Sequence, residues 1–165
     1  MTSSTKTDIK VADEVFLATA LLHREHPDRN DFTISEIVDR AERENLFGAI
    51  RPGVRVHATL HCVANRAPNP GRYRTLYATG SRTRRLLLAG DDIHPERTGK
   101  IWPEPDDVAP QYRALIEWAQ HRYGTESPRR VRWLDAVFQL FGLGREMWHG
   151  EDPDEYVRKL REGWE

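Results

Sequence analysis

Two histidines at helical spacing are the first residues in this sequence that could perform chemistry. His57 and His61 lie four positions apart, a spacing at which two side chains on one helix face can share a metal ion. The run HATLH lacks the glutamate of an HExxH motif, and no acidic third ligand lies nearby. We therefore expect neither a metal site nor a cofactor.

Other residue types that support catalysis stand in unfavourable contexts. Cys62 is the single cysteine, so no disulfide can form within the chain, and no paired base marks it as a nucleophile. The pairs Asp91-Asp92 and Asp106-Asp107 fall in Pro-rich stretches, where carboxylates typically solvate a loop or cap a helix. The run GLGRE follows a predicted helix, so its glycines interrupt that helix rather than cradle a phosphate. We expect no enzymatic activity.

The basic residues are concentrated in the middle of the chain. The net charge is −1, but residues 51–100 hold ten basic and three acidic side chains, and the segments on either side are acidic. Charge asymmetry of this kind suggests a polyanionic partner for the basic block. A general abundance of arginine is the alternative, and it would not produce the clustering.

The sequence gives no sign of a membrane protein. Its N-terminal residues, MTSSTKTDIK, lack the apolar core of a signal peptide, and no apolar run approaches the roughly 18 residues of a membrane span. One cysteine fits a reducing compartment. We expect a soluble, cytoplasmic protein with no membrane partner.

Two helices precede the basic block. Apolar residues recur at helical spacing over about 8–26, and Pro27 ends this segment. Thr33 to Glu36 has the T-x-x-E form of a capping box, in which the two side chains satisfy backbone donors at a helix start. The sequence therefore predicts helices over about 8–26 and 34–45, joined by a short extended segment.

A third helix and a hairpin follow within the basic block. Residues 53–66 are predicted to form a helix whose inner face consists of Val56, Leu60, Val63 and Ala64. Residues 72–78 and 83–88 are predicted strands, joined by a tight turn at 79–82. The outward helix face then carries small, polar and basic side chains, namely Arg55, Ala58, His61, Cys62, Asn65 and Arg66.

This order of elements is that of a winged helix-turn-helix, so we expect a mainly α chain with a small β-hairpin (α+β), followed by C-terminal helices. In that arrangement the third helix enters the major groove and the hairpin lies along a phosphate track. As alternatives, the arginines only solvate the exposed sheet face, or the fold binds proteins alone. The predicted contacts to double-stranded DNA are Arg51, Arg55, Ala58, His61, Asn65, Arg66, Arg72, Arg74, Arg82, Arg84 and Arg85.

The first half of the chain also resembles a known group of domains. The runs DFTISEIVDRAERENL, VRVHATLHCVANRA and GRYRTLYATGSRTRRLLL are similar to HARE-like winged-helix domains that accompany restriction systems and antitoxins. The resemblance implies a DNA-binding winged helix over residues 8–90.

The remainder is predicted to hold a linker and helices. Residues 91–109 are rich in Asp and Pro and predict a linker anchored at Ile101-Trp102. Helices are expected over 109–123 and 129–141, and a short terminal helix would be unstable without a surface to dock on. The predicted domains are a winged helix over 1–90, a linker over 91–109 and a partner-binding region over 110–165.

The last 24 or so residues, GLGREMWHGEDPDEYVRKLREGWE, resemble the C-terminal tails of VapB-type antitoxins. The resemblance implies a segment that wraps a PIN-domain ribonuclease toxin, with aromatic anchors in its grooves and a basic side chain near its metal site. Aromatic side chains and arginine commonly dominate interface energetics. The matching candidates are Arg145, Trp148, Tyr156, Val157, Arg158, Lys159, Leu160, Arg161 and Trp164.

Together these features predict an antitoxin-like transcription regulator that binds operator DNA and neutralises a partner toxin. The tail aromatics could instead complete the protein's own core or a homodimer. A stand-alone homodimeric transcription factor, a restriction-associated DNA-binding module and an interaction scaffold without nucleic acid are the alternatives.

Overall fold

The structure is a computed structural model that describes residues 8–124. This part of the chain is mainly helical with a small antiparallel sheet, so the predicted α+β class is confirmed. The predicted helices beyond residue 128 and the tail residues from Arg145 to Trp164 lie outside the described residues. The elements are α1 (Val11–Glu25), β1 (Phe32–Thr33), α2 (Ile34–Glu44), α3 (Pro52–Val56) continued by a π-helix (His57–His61), β2 (Leu76–Ala78), β3 (Thr83–Leu86), a 3-10 turn (Pro110–Tyr112) and α4 (Arg113–Tyr123).

The predicted capping box is present at the start of α2. The Glu36 N–H donates to Thr33 Oγ1 at 3.2 Å, and the Thr33 N–H donates to the Glu36 carboxylate at 2.8 Å. Asn45 ends the helix in the left-handed conformation, with φ of 52°. Local side-chain chemistry therefore fixes both ends of α2.

The three strands have the order β1-β3-β2, with β3 in the centre. Phe32 faces Arg84 across one strand pair, and Leu76 faces Leu86 across the other. The hairpin is confirmed but is shorter than predicted. Its first strand begins at Leu76 because part of the preceding backbone pairs elsewhere, with Arg74 N–H donating to the Lys100 carbonyl at 3.0 Å.

Helix α1 lies at the centre of the core, and residues 12–23 are all buried. It contacts α2, α3 and α4, and α4 contributes Leu115 and Ile116 to the same apolar cluster. Even Asp13 and Glu14 on α1 are buried, where Lys100 and Arg51 pair with them. None of the described helices is long and apolar enough to cross a membrane.

The segment 91–109, predicted as a linker, is packed into the fold. Lys100 Nζ lies 2.7 Å from an oxygen of buried Asp13, and the Trp102 ring meets the Phe16 ring edge-on at 5.8 Å. Val108 is buried in the main core. The predicted boundary at residue 90 is therefore corrected, since the residues before and after it belong to one compact unit. A composition rich in Pro and Asp disfavours regular elements but does not prevent ordered packing.

Candidate nucleic-acid interface

Arg55 on the third helix is exposed as predicted, but the buried stripe of this helix differs from the predicted one. Val54, Ala58 and Cys62 are fully buried, whereas Val56 and Leu60 are each 42% exposed. The predicted inward placement of Val56 and Leu60 was wrong, as was the predicted DNA contact of Ala58. The inward positions hold small residues because α1 lies close, and a side chain added at the start of α3 would already contact α1.

This helix also ends earlier than predicted. The segment His57–His61 is π-helical, and the Cys62 N–H donates to the His57 carbonyl at 2.9 Å, five residues back. Beyond it the chain joins the hairpin, because the Ala64 N–H donates to the Leu76 carbonyl at 2.7 Å. The wider π-turn shifts the helical phase, which a search for a 3.6-residue period does not detect.

Arg84, a predicted DNA contact, is instead a fully buried structural residue. Its guanidinium donates to the helix carbonyls of Ala58 at 3.1 Å and Thr59 at 3.3 Å, and also to the Gly80 carbonyl at 3.0 Å in the hairpin turn. Burial lowers its pKa to about 10, and nearby Arg66 acts in the same direction, so the group stays charged at neutral pH. Arg84 therefore attaches the hairpin turn to the helix.

Arg97 plays the same part at the end of the helix, and sequence analysis missed it. This buried guanidinium donates to the carbonyls of Leu60 at 2.7 Å and His61 at 2.6 Å. The last carbonyls of a helix lack partners within the helix. Arg97 supplies donors to them and, through the same group, to the carbonyls of Arg66, Ala67, Gly71 and Tyr73.

A close chain crossing accompanies these bonds. Gly71 lies against the end of the helix, where an added Cβ would fall 2.5 Å from the His61 Cβ. Only glycine fits at that distance, and Arg72 follows directly. Arg84 and Arg97 together therefore hold the hairpin turn and the segment before β2 against the carbonyls of residues 58–61.

Three other predicted contact residues have partners within the fold. Arg51 pairs with Glu14 at 2.5 Å, and Arg85 makes two bonds to the Asp91 carboxylate at 2.6 and 2.7 Å. Arg74 donates to the Gly99 carbonyl at 2.7 Å. The paired carboxylates offset the charges of Arg51 and Arg85, so these two arginines add less to the surface potential than the sequence suggests.

The predicted polar base contacts are also engaged or half-buried. The Asn65 amide accepts from the Ala78 N–H at 2.9 Å and donates to the Ala78 carbonyl at 3.1 Å, so it secures the hairpin. The His61 ring meets the His57 ring at 4.8 Å, and its buried Nδ1 has no hydrogen-bond partner among the described residues. His57 Nδ1 donates to the Gly53 carbonyl at 2.9 Å, and burial lowers the pKa of His57. No group of three metal-ligating side chains occurs among residues 8–124.

Four predicted contact residues remain available. In the described part of the chain no carboxylate pairs with Arg55, Arg66, Arg72 or Arg82, which we call the unpaired arginines. Arg55 precedes exposed Val56, and Arg72 follows the crossing at the helix end. Arg82 lies in the hairpin turn, and Arg66 approaches the Gly80 carbonyl in that turn at 3.5 Å. The four unpaired arginines thus lie on or next to the third helix and the hairpin turn, which Arg84 attaches to that helix.

Comparison of the chain with protein-family models, with curated proteins and with solved structures finds no match in any of the three. The function must therefore be inferred from the residues of this chain. The unpaired arginines, together with the exposed side chains of α3 and its π-helical continuation, are the surface on which that inference depends.

Proposed function

We propose that this protein binds double-stranded DNA as a winged helix-turn-helix protein. The proposal is supported by three helices that precede a β-hairpin and by a short strand, β1, that pairs with the hairpin. In it the third helix enters the major groove and the hairpin turn approaches the phosphates. The observation that carries the proposal is the presence of four unpaired arginines on and around these two elements.

The expected electrostatic footprint is smaller than the basic block suggests. Six of its ten basic side chains are engaged within the fold, which leaves the four unpaired arginines. Arg84 and Arg97 are buried, Arg51, Arg85 and Lys100 are ion-paired, and Arg74 donates to the Gly99 carbonyl. Each neutralised phosphate contributes a slope of about −0.9 to the dependence of log binding constant on log salt concentration. Four contacts give a slope of about −4, whereas ten would give about −9.

A salt titration tests the proposal. Fluorescence anisotropy of a labelled duplex, over about 50 to 200 mM salt, should give a slope of about −4 per bound chain. Replacing Arg55, Arg72 or Arg82 with Gln should each reduce the size of the slope by about 0.9. Arg113→Gln is the matched control, because Arg113 is exposed but paired with Asp106. Absence of duplex binding at low salt would overturn the proposal.

We propose further that the C-terminal part binds a partner protein, with a PIN-domain toxin as the class that the tail resemblance implies. In this view the protein is an antitoxin-like transcription regulator. The test is a pull-down with the product of the neighbouring gene, using the full chain and a chain that ends at Ser127. Equal retention of the partner by both would refute a role for the tail.

A protein-only interaction module is the second candidate. Three exposed apolar side chains, Ile50, Val56 and Leu60, favour it, because such residues pack well at protein interfaces. The salt titration separates the two candidates. A protein-only module would bind the duplex weakly or not at all, and its self-association or partner binding would depend little on salt.

A further inference from the structure

The exposed side chains of the third helix offer few hydrogen-bonding groups. Of residues 52–61, the exposed ones are Pro52, Arg55, Val56 and Leu60. The Thr59 hydroxyl is used within the helix, where it donates to the Arg55 carbonyl at 2.7 Å. A helix that reads bases through hydrogen bonds would present amide, hydroxyl or further guanidinium groups here. This helix presents a pair of aliphatic side chains beside one arginine.

The two aliphatic side chains lie on one side of the helix. Val56 and Leu60 are four residues apart and equally exposed, while Val54, Ala58 and Cys62 form the buried stripe. The backbone beneath them is held in place, because Arg84 binds the carbonyls of Ala58 and Thr59 and Arg97 binds that of Leu60. Their position relative to the hairpin turn is therefore fixed.

We infer that Val56 and Leu60 contact the C5-methyl groups of pyrimidines in the major groove, so that the protein prefers DNA carrying thymine or 5-methylcytosine. This inference rests on the proposed DNA binding. Base edges in the major groove are polar apart from that methyl group, which is the apolar feature that side chains contact there. Placing an aliphatic side chain against a methyl group removes apolar surface from water, whereas placing it against an amino or carbonyl group leaves that group without a partner.

Charge favours DNA over a second copy of the chain at this surface. Val56 follows Arg55, and Arg72 follows the glycine that lies against the other end of the helix. The hairpin turn with Arg82 is attached to the same part of the helix through Arg84. Two copies meeting through Val56 and Leu60 would bring unpaired arginines together, which like-charge repulsion opposes. A polyanion that carries methyl groups satisfies both the charged and the apolar parts of the surface.

Alternating duplexes provide a test that needs no knowledge of the operator. The affinities of an alternating adenine–thymine duplex and its adenine–uracil counterpart are compared, because uracil lacks only the methyl group. A second pair compares guanine–cytosine with guanine–5-methylcytosine. Each methyl group contacted should strengthen binding about fourfold, the factor expected for burying one carbon group. The methylated member of each pair should therefore bind more tightly by about fourfold or more.

Variants identify the side chains responsible. Leu60→Gln and Val56→Ser should each reduce the methyl preference while leaving the salt slope unchanged, and circular dichroism should show an unchanged fold. Ile50→Gln is the matched control, an exposed aliphatic residue outside the helix. Equal affinity for both members of each pair, with an intact salt slope, would overturn the inference but not DNA binding. Absence of duplex binding would overturn both, and self-association abolished by Leu60→Gln without a methyl preference would show a protein interface instead.

Discussion

Replacing Arg97 with Met should strongly destabilise the protein. Its guanidinium is buried and contacts six backbone carbonyls, two of them at the end of the π-helix and the others in residues 66–73. Met fills a similar volume but donates no hydrogen bond. The variant would therefore remove the one guanidinium group that donates both to the end of the third helix and to residues 66–73 before β2.

The magnitude follows from two opposing effects. Leaving a buried carbonyl unsatisfied costs about 1 to 3 kcal/mol, and several carbonyls lose their donor here. Removing a buried charge also removes its desolvation cost, which lowers the total. We expect the free energy of unfolding to fall by about 3 kcal/mol or more, because the unsatisfied carbonyls together outweigh the desolvation cost that is removed. The stability of Arg97→Lys should lie between those of the unchanged protein and Arg97→Met, because an ammonium group keeps the charge but reaches fewer carbonyls.

Urea unfolding followed by circular dichroism measures this change. Arg113→Met is the control, since Arg113 is exposed and its partners are an exposed carboxylate and the Pro105 carbonyl. A change below about 1 kcal/mol is expected there. A similarly small loss for Arg97→Met would refute the reasoning, because it would mean that water or backbone movement satisfies these carbonyls. A large loss would also establish that residues 91–109 belong to the fold.

Four further predictions concern stability and reactivity. Burial lowers the pKa of His23 to about 4, and its neutral ring accepts a backbone N–H of β3. The free energy of unfolding should therefore fall by up to roughly 3 kcal/mol as pH drops from about 6.5 to 4. In a pH series of urea midpoints, His23→Gln should reduce this fall. Burial raises the pKa of Cys62 to about 12, so a thiol reagent should label it at neutral pH only when urea unfolds the chain, and rapid native labelling would contradict its placement. Thr33→Ala should cost about 1 kcal/mol through loss of the capping box, against little change for exposed Ser35→Ala in thermal unfolding. A chain ending at residue 90 should lack a cooperative unfolding transition, whereas one ending at Glu126 should keep it. Cooperative unfolding of the shorter chain would support the domain boundary predicted at residue 90.

Local signals made much of the fold predictable. The capping box joins two residues three positions apart, and the hairpin is a short-range pairing around a tight turn. Non-local packing decided what the sequence could not indicate. The sequence offers two apolar stripes on the third helix, one with Val56 and Leu60 and a smaller one with Val54, Ala58 and Cys62. Contact with α1 in the folded structure selects the smaller stripe as the buried one.

The buried role of Arg84 left a detectable signal in the strand pattern. Alternation along β3 places Arg84 on the same face as Leu86, and both are buried. Its basic character suggested a phosphate contact, yet strand geometry favoured the core. Arg97 gave no such signal, because its carbonyl partners in residues 60–73 are more than twenty positions away along the chain.

The arginines of the basic block therefore serve two purposes that net charge cannot separate. Arg84 and Arg97 supply side-chain donors to the carbonyls of residues 58–61, where a π-helix ends. A buried hydrophobic residue could fill either space but would leave those carbonyls with fewer donors, so buried N–H groups are needed there. Because so few arginines then remain for phosphates, electrostatics alone would bind DNA only moderately. Under the proposed function, selectivity would come from the exposed helix face that Arg84 and Arg97 hold in place. Removing methyl groups from a bound duplex should then weaken binding more than moving one phosphate contact to another arginine.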